Sequence, residues 1–192
     1  MTEIDDTAPA PALPDPDAAE AALVAKLRAW NVPFTRHAHA PLHTVEDSVA
    51  LRGELPGGHC KNLFLKEKKG PHWLVVCEET RRVRIPDIAR AAGAGRMSFG
   101  KPDAMAALLG VRPGAVTPLG LVNDAEGQVR LILDAQLFAA EILNCHPLRN
   151  DATVALRTAD LLRVFEATGH APIRLDFDAL EAQAAAAQAA QG

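Results

Sequence analysis

The chain contains no apolar run close to the ~20 residues that a membrane-spanning helix needs. Residues 1–17 are acidic and proline-rich, without the basic and apolar regions of a secretory signal. Its three cysteines, Cys60, Cys77 and Cys145, are odd in number and include no Cys-x-x-Cys. This argues against a disulfide framework or a four-cysteine zinc site, and for a reducing, cytoplasmic setting. Serine occurs only at Ser48 and Ser98, neither within a Gly-x-Ser-x-Gly elbow, so a Ser-His-Asp triad has no support. Phosphate-binding Gly-x-x-x-x-Gly-Lys-Ser/Thr and dinucleotide fingerprints are missing. A basic excess is missing too: the net charge of −4 is not that of a general nucleic-acid binder.

What is present suits one globular domain with a sizeable core: 192 residues, 48% hydrophobic and 23% charged. Charge is uneven along the chain. Between His59 and Arg84, seven basic residues (Lys61, Lys66, Lys68, Lys69, Arg81, Arg82 and Arg84) face three glutamates, a local +4. Such a patch can hold phosphates while the whole molecule stays acidic.

The pattern divides the chain into a disordered tail (1–17), a domain (18–178) and an Ala/Gln-rich terminal helix or tail (179–192). Helices are expected over 18–30, 44–52 (capped by Thr44 or His43), 86–92, 103–109 and 158–167, and after an Asp178 cap. Asp134 should cap a short helix to residue 140. Gly110 should end its helix in the left-handed conformation, and Gly169 should stop another. Strands are expected at 35–39, 61–66, 72–78, 82–85, 154–156 and 173–177. A second hairpin is expected from 116–122 and 129–133, turned at 124–127, with a loop at 144–150. Single helices mixed with hairpins predict an α+β, mixed α/β domain.

Three stretches carry the candidate chemistry. In the extended segment from His59 to Lys66, Cys60, Asn62, Phe64 and Lys66 point one way, and Lys61, Leu63 and Leu65 the other. A lysine heading an apolar row can hold an anionic ligand group, or simply lay its stem on the core. Residues 110–118 hold two prolines and two glycines, a stiff loop able to offer N–H groups to an oxyanion. Asn144-Cys145-His146-Pro147 brings a histidine suited to general base work or to capping its own loop. The spacing of His37, His39 and His43 could bind zinc, but no carboxylate lies nearby before Glu46, and no metal is expected. A thiol nucleophile such as Cys60 with His146 has no sequence signature.

These stretches, together with Ser98-Phe99-Gly100, Leu121-Val122-Asn123-Asp124 and residues 146–151, resemble the aminoacyl-tRNA trans-editing family. That family includes the YbaK-type deacylases and prolyl-tRNA-synthetase-associated editing domains, and the alanine-specific (ProXp-ala, PrdX-type) branch looks nearest. The resemblance spans about residues 22–177. It implies a twisted, partly closed mixed β-sheet surrounded by helices, no cofactor, and hydrolysis of alanyl-tRNA(Pro). The alternatives are cysteinyl-tRNA(Pro) deacylation or a non-catalytic binding module. It implies catalytic roles for Lys61, Gly110 and His146. Val45, Asn62, Leu63, Leu65, Gly114 and Asn144 are expected at the substrate, with Val45 on the helix carrying Glu46 and Asp47. Lys66, Lys68, Lys69 and Arg82 are expected at the RNA. The expected partner is the acceptor end of a mischarged tRNA. Association with prolyl-tRNA synthetase is left open, and neither membrane nor DNA is expected.

Overall fold

The computed structural model describes residues 12–41 and 55–190. The expected helix over 44–52, with Thr44, Val45, Glu46 and Asp47, lies outside the described residues. Helix α1 (Pro16–Ala29) starts where Asp15 accepts from the N–H groups of Asp17 and Ala18, at 3.0 and 3.3 Å. Asp15 to Asp17, expected in the tail, therefore belong to the helix start.

Eight strands follow: β1 (Thr35–Ala38), β2 (Gly58–Glu67), β3 (His72–Glu78), β4 (Met97–Phe99), β5 (Val129–Asp134), β6 (Ile142–Cys145), β7 (Ala152–Arg157) and β8 (Ile173–Leu175). They form one mixed sheet in the order β1-β7-β6-β2-β3-β5-β8, with β4 paired to β2. The remaining α-helices among the described residues are α2 (Ile85–Ala91), α3 (Pro102–Leu109), α4 (Thr158–Ala167) and α5 (Phe177–Ala189). The mixed α/β class expected from the pattern is the one observed.

β2 and β3 make the expected hairpin, with Cys60↔Glu78 at one end and Lys66↔His72 at the other. β3 is buried on both faces, which its continuous apolar run requires of a central strand. Phe64, Leu74 and Val76 join the larger core, packed with α1, α3 and α4. Leu65, Trp73, Val75 and Cys77 join a second core under α2 and α5.

Four expectations fail for identifiable reasons. Residues 82–85 are no strand. Val83 and Ile85 pack inward and Arg82 and Arg84 outward, but no neighbouring strand supplies hydrogen bonds. Arg81 instead turns its guanidinium to Asp134, at 3.2 Å, and to Asp178. Residues 116–122 form no hairpin: Pro118–Asn123 is a 3-10 helix whose Thr117 cap accepts from the Leu119 N–H. A fully buried apolar run reads alike as strand or helix. β5 consequently pairs parallel with β3, from His72↔Val129 to Val76↔Leu133. The expected loop at 144–150 begins inside β6. Asp176, not Asp178, caps α5 by accepting from the Ala179 N–H at 3.0 Å.

The expected turn at 124–127 is exposed at residues 125–127 and anchored by one buried carboxylate, Asp124. Asp124 accepts from the N–H groups of Gln128 (3.0 Å) and Val129 (2.7 Å) and meets His170 Nε2 at 3.0 Å. Burial raises its pKa, but the His170 bond and these amides outweigh that and leave it below the usual carboxylate value. Stability from this lowered pKa is present above about pH 4 and lost as pH falls through the folded-state value. Asp124→Ala is expected to lower unfolding free energy by about 2–4 kcal/mol, because buried donors lose their acceptor. A urea midpoint equal to wild type would contradict this.

Candidate active site

β2 and β6 run parallel for only two residue pairs, Gly58↔Leu143 and His59↔Asn144. β2 then continues with β3 and β4, while β6 stays with β7. Neighbouring parallel strands that part in this way leave a crevice beyond their ends. Extending the register sets Cys60 opposite Cys145, whose influence raises the Cys60 pKa. Continued one residue further, the register sets His146 opposite Lys61, with Asn62 one position beyond on β2.

Asn144 braces the split. Its buried Nδ2 donates to the carbonyls of Pro56 (3.2 Å) and Gly58 (3.4 Å), while its Oδ1 has no partner among the described residues. Asn62 Nδ2 donates to Val116 O at 3.0 Å, tying β2 to the 110–118 loop. Asn62 Oδ1 is buried without a partner among the described residues. An orphaned acceptor costs about 1–3 kcal/mol, which a ligand donor would relieve.

His146 Nδ1 lies 3.2 Å from Ala152 O. A carbonyl only accepts, so Nδ1 carries the proton and Nε2 keeps its lone pair. Burial lowers the His146 pKa below the usual histidine value, against the Ala152 bond; His39 lowers it further and Glu79 raises it. The ring is neutral at pH 7. Its loop is rigid: Leu148 is buried at φ +67°, a left-handed conformation costing a non-glycine residue about 1–2 kcal/mol. Arg149 binds Asp151 through two nitrogens and reaches Asp17 and Glu20 on α1. Glu79 acts electrostatically on both Cys60 and His146, and no motif in the sequence marked it.

The structure redistributes the expected site. Lys61 lies on the other face of β2 from Asn62, and its ammonium donates to Arg81 O. The stiff loop therefore meets Asn62, and the cleft expected between Lys61 and that loop is not formed. The strand's period of two puts adjacent residues on opposite faces. Leu65 is fully buried in the second core, and Leu63 faces the Lys61 side, so neither lines a pocket with Asn62. Gly110 is a helix cap. At φ +66° its N–H donates to Ala106 O at 3.0 Å, and a Cβ would sit 2.5 Å from Asn123 Nδ2. Its amide is spent and cannot polarise an ester. Gly114 is exposed at φ +90° in a turn closed by Ala115 N–H to Arg112 O, 3.0 Å.

The basic stretch divides as well. Lys68 and Lys69 are exposed at the hairpin tip, where Lys66 Nζ donates to Gly70 O at 2.9 Å. Arg82 is exposed beyond the opposite end of β3, roughly 20 Å away at ~3.3 Å per residue. His39, from the expected histidine cluster, holds Ala40 O (2.8 Å) and Thr153 Oγ1 (2.9 Å) with its two ring nitrogens. The Cys60 thiol is pushed well above the usual cysteine range by its Cys145 bond, by burial and by Glu78 and Glu79. Burial likewise pushes Cys77 up to about 12. Thiolate is the nucleophilic form, so a cysteine mechanism at neutral pH is disfavoured.

The sequence profile of the aminoacyl-tRNA editing domain matches residues 39–164. The prolyl-tRNA synthetase associated domain-containing protein 1 of Danio rerio is 36% identical, over 79% of this chain and 84% of its own. The prolyl-tRNA editing protein ProX of Acetoanaerobium sticklandii is 31% identical, over 79% and 93%. A crystal structure described as a candidate trans-editing enzyme for prolyl tRNA synthetase shares the fold with TM-score 0.64. It is 19% identical and aligned over 82% of this chain and 96% of that one. The class is an enzyme that deacylates aminoacyl-tRNA. The chain belongs to the aminoacyl-tRNA editing domain family. No helix among the described residues is long and apolar enough to cross a membrane.

Protonated thiols react slowly. Iodoacetamide at pH 7.5 is expected to leave the folded protein unmodified over a period that fully alkylates it in urea. Replacing Cys60, Cys77 and Cys145 together with alanine should spare deacylation. Rapid alkylation of folded protein, or a folded triple variant without activity, would contradict these roles.

Proposed function

We propose that this chain works in trans in the cytoplasm, hydrolysing the ester of mischarged tRNA(Pro), with alanyl-tRNA(Pro) as preferred substrate. The observations that support this reading are two groups on the diverging strands: Asn62 Oδ1, buried and without a partner among the described residues, and a neutral His146 with Nε2 unprotonated. An aminoacyl ester is already activated, so placing the ester and a water supplies much of the barrier reduction. Asn62 Oδ1 accepts a hydrogen bond from the substrate α-ammonium group. His146 Nε2 takes a proton from the attacking water. The water oxygen bonds to the carbonyl carbon, the ester bond to the ribose breaks, and the proton passes to the leaving ribose oxygen. The exposed turn at Gly114 is the remaining part of the stiff loop that can offer an N–H to the ester oxygen.

Selectivity follows from size. A proline-charging synthetase cannot strongly reject a smaller amino acid by binding alone, since a methylene is worth only ~1–3 kcal/mol. A second site that admits only the small side chain removes the error, and prolyl-tRNA synthetase then supplies the substrate. The relatives named for prolyl-tRNA editing support the same tRNA.

The test is release of labelled amino acid from alanyl-, cysteinyl-, seryl- and prolyl-tRNA(Pro). Alanine should be released fastest and proline spared. Release no faster than the spontaneous rate would overturn the reading in favour of a binding module. Because the His146 pKa is lowered, the base stays neutral into mildly acidic solution. Deacylation should hold from pH 8 to 7 and fall to half below about pH 6.5. A half-loss above pH 7 would contradict His146 as base.

A further inference from the structure

We propose that Glu20, on α1 and far from His146 in sequence, is a positioning residue for that histidine: acting through Arg149, it holds the 146–151 loop against β1 and β7 and so keeps His146 Nε2 free to accept a proton. This rests on the deacylase reading above, with His146 as base, and names what holds that base in place.

Glu20 is only 7% exposed, a burial that a glutamate tolerates when it is paired. Arg36 on β1 donates to it twice, Nε to Oε1 at 2.5 Å and Nη2 to Oε2 at 3.0 Å. Arg149 Nη1 donates to the same Oε2 at 3.3 Å. One carboxylate therefore joins α1, the β1–β7 ladder and the His146 loop. It also separates two cations. Glu20 holds the Arg36 pKa above the usual arginine value, while Arg149, a like charge, pulls it down. With the negative charge removed, the two guanidinium groups repel and Arg149 turns away. Asp17 cannot take over, because its side chain is 86% exposed and its pair with Arg149 is screened by water and salt.

From Arg149 the route to His146 is short. Arg149 grips both carboxylate oxygens of Asp151. The Asp151 carbonyl accepts from the His39 N–H at 3.1 Å, continuing the β1–β7 ladder one step past Ala38↔Ala152. Ala152, the next residue, presents the carbonyl that accepts from His146 Nδ1 at 3.2 Å. The clamp thus fixes the residue beside the carbonyl that sets the tautomer. It also holds Leu148 at φ +67°, a conformation that persists only where its surroundings impose it. Once the loop relaxes, Ala152 O leaves Nδ1 and the ring proton redistributes to Nε2. Nε2 then lacks the lone pair that takes a proton from water.

Packing alone does not call for these charges, since apolar residues of like volume often replace a buried ion pair without loss of stability. Two substitutions separate charge from shape. Glu20→Gln keeps the shape and removes the charge. Arg149→Lys keeps the charge and removes the planar fork that holds two acids at once.

The test joins 15N NMR of the His146 ring with steady-state deacylation of alanyl-tRNA(Pro), both on the full chain at pH 7. Glu20→Gln should populate the Nε2-protonated ring and lower kcat about ten- to hundredfold, with KM changed less than about twofold. Arg149→Lys should do the same. The double variant should be no worse than either single one, because both residues act in one chain of contacts. A Glu20→Gln protein with the wild-type ring spectrum and kcat would overturn the role of Glu20, even with deacylation intact. Losses that multiply in the double variant would show that Glu20 does not act through Arg149. A Glu20-dependent tautomer in a protein without any wild-type deacylation would leave the positioning role standing and remove the hydrolase reading. Urea midpoints verify that each variant is folded under assay conditions. Should Glu20→Gln not fold, Arg149→Lys carries the same two readouts, and wild-type values in both would overturn the clamp.

Discussion

The fold's functional consequences hang on a parallel ladder that stops early. β2 and β6 are neighbours for two residue pairs and then separate; β2 keeps β3 on its other edge and pairs with β4 further along, while β6 stays with β7. Asn144 secures that short ladder by holding the Pro56 and Gly58 carbonyls. Had the ladder continued, Asn62 would sit under a neighbouring strand and its amide would face no opening. Beyond the parting, Asn62 Oδ1 is buried without a partner among the described residues, and His146 follows the end of β6. A buried polar atom without a partner lowers stability, and such losses cluster where a ligand completes the network.

Rigidity at this site comes from groups that do no chemistry. Gly110 and Asn123 lock the end of α3, fixing where the 110–118 loop departs. Arg149 ties the His146 loop to α1 through Asp17 and Glu20, and a strained Leu148 is kept in place by burial in the core. The His146 tautomer follows from one backbone carbonyl. The histidine therefore needs no reorganisation to accept a proton, and that pre-alignment is what a labile ester requires.

Local regularities were legible in the sequence. Alternation over residues 61–66 and the apolar run at 72–78, joined by a polar turn, announced the hairpin. The Asp134 cap and the Gly110 stop were visible as residue types at helix ends. Long-range pairings were not. Nothing in residues 116–133 tells a hairpin from a 3-10 turn followed by a parallel strand, since both bury the same apolar side chains. Alternation stated that Lys61 and Asn62 face opposite ways but not which one would meet the stiff loop; that depends on Val116 lying on the Asn62 side. Charge counted along the chain suggested a single patch, whereas the hairpin carries its lysines and Arg82 to opposite ends. Glu79 was invisible because its neighbours come from β2 and β6.

The account's central claim is that Asn62 and His146 face one crevice that holds the aminoacyl ester. The most direct measurement is 15N NMR of the Asn62 side-chain amide and the His146 ring during titration with a non-hydrolysable amide analogue of alanyl-adenosine. Both signals should shift together with one dissociation constant, and His146 Nε2 should remain unprotonated in the free protein at pH 7. Saturable binding that moves neither group, or an Nε2-protonated ring, would contradict the account.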